Sequence, residues 1–131
     1  MIHTRNESKY LTQHCISNGY RLILITAPPF HALRAFASVI SAALQSGSAG
    51  HLKLHHFAGE LLDWNATVLH SQGVVFAPRK DLIDGELDRI IRYTEAGDIC
   101  DPAELFAYLD GRDSANAAAN AAVPAAALPA P

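Results

Sequence analysis

The sequence predicts an α/β fold: a small, mostly parallel sheet of about three strands with helices on both faces, followed by a disordered C-terminal tail. Three observations carry this expectation. Tyr20 to Thr26 is a short apolar run that stops at Pro28 and Pro29 and gives way to a long amphipathic pattern from Phe30 to Leu44, the layout of a strand, a tight turn and a crossover helix. Two further strand-like runs, 51–57 and 73–77, are each followed by helical periodicity. Beyond Gly111 the composition becomes almost wholly Ala, Asn and Pro. The chain therefore divides into one domain, residues 1–111, and a tail, residues 112–131.

Taken in order, Thr4 and Glu7 stand at capping-box spacing, and Tyr10, Leu11, His14 and Cys15 form one stripe of a helix over 5–17 that Gly19 stops. The run 20–26 is too uniformly apolar for a surface element and reads as a buried central strand. Pro28 and Pro29 bar its continuation, while Pro29 suits the first turn of the next helix. In that helix Leu33, Phe36, Ala37, Ile40 and Leu44 recur at spacings of three and four. Residues 51–57 alternate in part, which suits a strand near a sheet edge. Residues 60–70 read as a helix with Leu61, Asn65 and Val68 on one face. Residues 73–77 read as a short buried strand stopped by Pro78. Asp81 is placed to cap a helix over 82–96 whose stripe is Ile83, Leu87, Ile90, Ile91 and Thr94. Asp101-Pro102-Ala103-Glu104 opens a last helix that Gly111 closes.

Composition removes several classes of function. The net charge is −3 and the ten Lys and Arg residues are scattered, so the chain lacks the electrostatic footprint of a nucleic-acid binder. No apolar run approaches the roughly 18–20 residues that span a bilayer, and the first residues are too polar for a signal peptide, which predicts a cytoplasmic protein. Cys15 and Cys100 are the only cysteines, too few for a disulfide framework or a cysteine zinc site.

The order Asn18-Gly19-Tyr20-Arg21-Leu22-Ile23-Leu24-Ile25-Thr26-Ala27-Pro28, with the helix Phe30 to Leu44 after it, resembles the strand, loop and helix at the start of the P-loop ATPase domain of type IV pilus and type II secretion motors. Val74-Val75-Phe76 is similar to the Walker B strand, and the stretch from Arg79 to Gly97 is similar to the helix that follows in that family. The resemblance spans residues 18–97. It implies a degenerate relative, because a phosphate-binding loop needs glycines that admit phosphates to backbone amides and a lysine to neutralise them. Ala27, Phe30, Ala32 and Leu33 stand at those places here, so no catalytic residue of the family carries over.

Chemistry-bearing clusters are few. His51, His55 and His56 are the only metal-like group, but on a strand His51 and His55 lie about 13 Å apart and cannot share an ion. His14 and Cys15 are sequence neighbours and do not face each other on a helix. Asp63 and His70 would be roughly 10 Å apart on a helix, too far for an orienting hydrogen bond, so Asp63, His70 and Ser71 make no triad. Asn65-Ala66-Thr67 matches a glycosylation acceptor, which is meaningless without secretion. Asp81, Asp84, Glu86, Asp88 and Arg89 make the polar face of the 82–96 helix, by default a solvated face; the functional alternative is an acidic docking surface at Asp84, Glu86 and Asp88, and Trp64 reads first as a core residue and otherwise as an interface anchor. The expectation is a non-catalytic interaction or regulatory module without catalytic residues, cofactor or metal. Its partner would be another protein or a second copy, with nucleic acid and membrane insertion excluded. The alternative is a nucleotide or anion binder at the carboxyl ends of the strands, with Arg79 and Lys80 as anion contacts.

Overall fold

The computed structural model describes residues 4–57, 59, 61–70 and 75–122. Within them the chain runs α1 (Thr4–Ser17), β1 (Leu22–Thr26), α2 (Pro29–Gln45), β2 (Lys53–Phe57), β3 (Thr67–Leu69), β4 (Phe76–Pro78), a single 3₁₀ turn (Arg79–Asp81), α3 (Leu82–Glu95) and α4 (Pro102–Ala121). Helix and strand mix as the sequence predicts, but the parallel sheet has two strands, not three. β1 pairs with β2 from Leu22 opposite Lys53 to Thr26 opposite Phe57. β3 and β4 form a separate antiparallel pair, so the segment expected as a third parallel strand turns back on its neighbour instead. Residues 73 and 74 of that expected strand lie outside the described residues.

α1 ends as its sequence requires. Gly19 adopts φ +71°, the left-handed conformation closed to most side chains, and lets Tyr20 N–H reach back to Cys15 C=O at 2.9 Å. β1 then presents Ile23 and Ile25 to the helices, where they join Leu54 of β2, Val39, Ile40 and Ala43 of α2, Leu52, and Cys15 of α1 in the core. Pro29 starts α2, which is the central helix of the fold and packs on α1, α3, α4 and both parallel strands. Small residues permit this: Ser38, Ser41, Ala42 and Ala43 are all buried, and Ser41 Oγ both donates to Ala37 C=O and accepts the Cys100 N–H.

Three local expectations are corrected. Residues 61–66 are irregular and 67–69 are strand, not parts of a 60–70 helix, and residue 60 lies outside the described residues. The Asp63 carboxylate accepts from Asn65 N–H, a local turn that competes with helix, and Leu61 is fully exposed. Asp81 belongs to the 3₁₀ turn and makes no side-chain cap on α3. α4 does open with the reciprocal Asp101–Glu104 capping box, yet it continues ten residues past Gly111, to Ala121. Alanine-rich sequence sustains helix, and two side chains tie the extension down: Arg112 donates to Leu54 C=O at 2.7 Å and Lys53 to Asn116 Oδ1 at 3.0 Å. The tail expected from residue 112 is thus helical to 121, and residues 123–131 lie outside the described residues.

The two parallel strands also exchange their expected roles. Lys53 N–H donates to Arg21 C=O, which fixes the odd-numbered backbone groups of both strands toward each other. The even-numbered groups of β2 face outward, and α4 takes those at Leu52 and Leu54: the Tyr108 hydroxyl accepts from Leu54 N–H and donates to Leu52 C=O, while Arg112 takes Leu54 C=O. β1, expected as the buried central strand, is the open edge. The side chains of Leu22 and Leu24 are 69% and 60% exposed, so helices do not cover both faces of the sheet.

Candidate functional site

Two places hold groups worth weighing. The first is a buried charge cluster between α2 and α3. On α2 the inward face reads Phe30, Arg34, Ala37 and Ser41, and on α3 it reads Leu82 and Glu86. Arg34 is 0% exposed and Glu86 2%. Arg34 grips both carboxylate oxygens of Glu86, through Nε to Oε2 and through Nη2 to Oε1. Its remaining Nη1 donates to Thr4 Oγ1 at 3.2 Å, and the guanidinium lies 5.9 Å from the Tyr93 ring centroid.

Two histidines complete the shell. His31 Nδ1 approaches Glu86 Oε2 at 3.2 Å, and His70 Nε2 bonds Glu86 Oε1. An ionised carboxylate only accepts, so these ring nitrogens carry the protons in both contacts. Arg89 Nη1 adds a donor to Oε1 at 3.2 Å. Main chain places His70 at the end of β3, where its N–H donates to Val75 C=O at 2.9 Å, and Phe30 packs beside its ring at 5.6 Å between centroids.

Burial alone pushes the Glu86 carboxyl up, but the hydrogen bonds from His31, Arg34 and His70 and the Arg34 charge outweigh it and hold the group well below the usual carboxylate range. A carboxylate so stabilised is a poor proton acceptor. The cluster ties α2, α3, the β3 end and, through Thr4, α1 to one another, and it does not assemble a base beside a nucleophile. The two thiols add no nucleophile either, since burial pushes both Cys15 and Cys100 up.

Glu86 is therefore not part of an acidic docking surface. Asp84 and Asp88 remain exposed on α3, and Trp64 is 42% exposed in the turn before β3. The stripe expected on α3 is rotated: Leu87 and Ile91 face outward while Leu82 and Glu86 face in. Leu33 of α2 is likewise exposed. Arg79, expected as an anion contact, donates to Asp63 C=O at 2.6 Å, and Lys80, exposed, is held by its N–H to Trp64 C=O at 3.0 Å. His55 and His56 sit on opposite faces of β2, and among the described residues no group of three His, Cys, Asp or Glu is arranged to hold a metal ion. Among the described residues no helix is long and apolar enough to cross a membrane.

The cluster carries a sequence signal in the spacing of its charges. Arg34 falls four residues after Phe30 and three before Ala37, and Glu86 four after Leu82, so opposite charges interrupt the apolar stripes of two helices. Such a charge needs a buried partner.

The second place is the open side of the sheet. The outward even-numbered groups of β1, on Leu22, Leu24 and Thr26, meet no hydrogen-bonding partner among the described residues. Leu22 and Leu24 stand exposed beside them, and Tyr20 and Phe57 are also more than half exposed. No protein-family model, curated protein or solved structure matches this chain.

Proposed function

We propose that this chain is a cytoplasmic protein-interaction module without catalytic activity, a regulatory companion of a bacterial motor or secretion assembly. The open side of the β1–β2 sheet carries the interaction reading: an edge strand without lysine, proline or acid between Leu22 and Thr26, with two exposed leucines, is what folded proteins ordinarily protect against pairing. Leaving it bare is consistent with a surface used for docking. The link to a motor assembly rests on the P-loop-like order of strand, turn and helix in the sequence.

The turn after β1 supports the absence of nucleotide chemistry. Pro28 and Pro29 contribute no N–H there, Phe30 fills the first turn of α2, and the nearest helix cation, Arg34, is committed to Glu86. An anion would find neither open amides nor a free charge.

Two measurements test this reading. Melting temperature should stay unmoved when ATP or GTP is added with Mg²⁺; a rise of several degrees that Arg79→Ala abolishes would establish a nucleotide binder instead. Partner capture by the full chain should be lost in Leu22→Asp/Leu24→Asp, which retains the wild-type circular dichroism spectrum. Capture that survives both substitutions would place docking elsewhere.

A further inference from the structure

We propose that the surface docked on β1 is β1 of a second copy, paired antiparallel about a two-fold axis through Leu24, so that two sheets merge in the order β2-β1-β1-β2. This deepens the interaction reading and rests on it.

Parity of the backbone comes first. Among the described residues the N–H and C=O groups of β1 without a partner belong to Leu22, Leu24 and Thr26, because the odd-numbered groups are taken by β2. An isologous antiparallel contact needs a strand whose free groups are symmetric about one residue. In the register centred on Leu24, Leu24 faces its own copy and exchanges both hydrogen bonds with it, while Leu22 and Thr26 face each other twice. Every free group of the three residues is then paired, in roughly six cross-strand hydrogen bonds.

The ends of the strand select the same register. The next outward residue before Leu22 is Tyr20, whose N–H is already given to Cys15 C=O. The one after Thr26 is Pro28, which has no N–H. Centring on Leu24 places Tyr20 opposite Pro28, so the ladder stops where both chains lose the ability to extend it. Sliding the register by two residues sets Thr26 against Tyr20, whose N–H is already given, and leaves the Thr26 C=O without a donor; sliding it the other way leaves the Leu22 C=O facing Pro28, which has no N–H.

Side chains agree. Leu22 and Leu24 of both copies form one apolar face, with Tyr20 laid toward the partner's Pro28, and Tyr20 is itself steadied by a ring contact with His14 at 6.2 Å. Arg21 is the only charged side chain from Tyr20 to Pro28 and falls opposite Ala27, so no like charges meet. Tyr108 and Arg112 occupy the other edge of the sheet at Leu52 and Leu54, which blocks a further strand there and favours a closed pair over an open-ended ribbon. Two short edges with their flanking side chains make a contact at or below the small end of the roughly 1,200–2,000 Å² of stable interfaces, so association is weak and visible at micromolar concentrations and above.

Sedimentation equilibrium of the full chain from micromolar to near-millimolar concentration should show the mass rising from 14.1 kDa toward twice that value. Leu24→Lys, which sets two like charges opposite each other on an exposed position, should hold the chain at the monomer mass while its far-ultraviolet spectrum stays unchanged. Oxidative cross-linking adds a positional readout. Leu24→Cys should give a covalent dimer and Leu22→Cys should not, because the two-fold axis brings only residue 24 of one copy against residue 24 of the other. A monomer at every concentration, a dimer that survives Leu24→Lys, or equal cross-linking at both positions overturns self-pairing. If the chain is monomeric while Leu22→Asp/Leu24→Asp still abolishes capture of a different protein, self-pairing fails and the broader interaction reading stands.

Discussion

At the scale of single residues, the strongest constraint in the molecule is the set of donors converging on Glu86. Taking a carboxylate and a guanidinium out of water costs several kcal/mol each, and only near-complete hydrogen bonding offsets it. Glu86 receives Arg34 on both oxygens and His31, His70 and Arg89 besides. Removing one partner is therefore costly: Arg34→Ala should lose about 3–5 kcal/mol in chemical denaturation, because it leaves the carboxylate buried without its main counter-charge. The same site sets a pH dependence. The folded Glu86 value lies below the ordinary 4.5, so its ionised form stabilises the fold fully above that pH, and the contribution fades as the pH falls from there through the folded value. Wild type should exceed Glu86→Gln in melting temperature at pH 7, and the gap should narrow steadily on acidification below pH 4.5. A gap that stays constant down to pH 3 would show that the carboxylate charge is not what holds the cluster.

At the scale of elements, α4 acts in place of a third strand. β2 needs donors and acceptors along its outer edge, and Tyr108 and Arg112 supply them from the helix. Tyr108→Phe removes one donor and one acceptor at once and should cost about 1–3 kcal/mol in urea titration. Truncation after Gly111 deletes the Arg112 and Asn116 contacts and should lower stability as well, by about 1–2 kcal/mol. An unchanged midpoint for that truncation would show that the helical extension adds nothing to the domain. This element was legible in part. Its start was written in Asp101, Pro102 and Glu104, since a capping box is local chemistry. Its length was not, since Gly111 is a helix terminator only when nothing downstream holds the helix together, and Lys53 and Leu54, which do so, lie more than fifty residues away in sequence.

At the scale of the whole molecule, the described residues place helices on one side of a two-stranded parallel sheet and leave its β1 edge and other face exposed among them, and the proposed function and the proposed self-pairing both start from that exposure. Such a sheet is marginal by itself. Its stability comes from α2, which packs on α1, α3, α4 and both parallel strands and contributes to both the apolar core and the charge cluster. The turn after β1 is filled by Pro28, Pro29 and Phe30, an arrangement that agrees with the docking role proposed for the sheet.

By itself the sequence determined those elements whose signals are local: α1 with its glycine stop, β1, α2 begun by proline, β2, α3 and the cap of α4. Periodicity, proline geometry and capping act over a few residues and need no partner. Tertiary structure alone decided which strand became the edge, that 67–69 pairs antiparallel with 76–78, and that Arg34 and Glu86 are each other's partners. Pairing and burial depend on residues distant in the chain, and an arginine on an apolar stripe has the same local pattern whether a carboxylate waits for it or not.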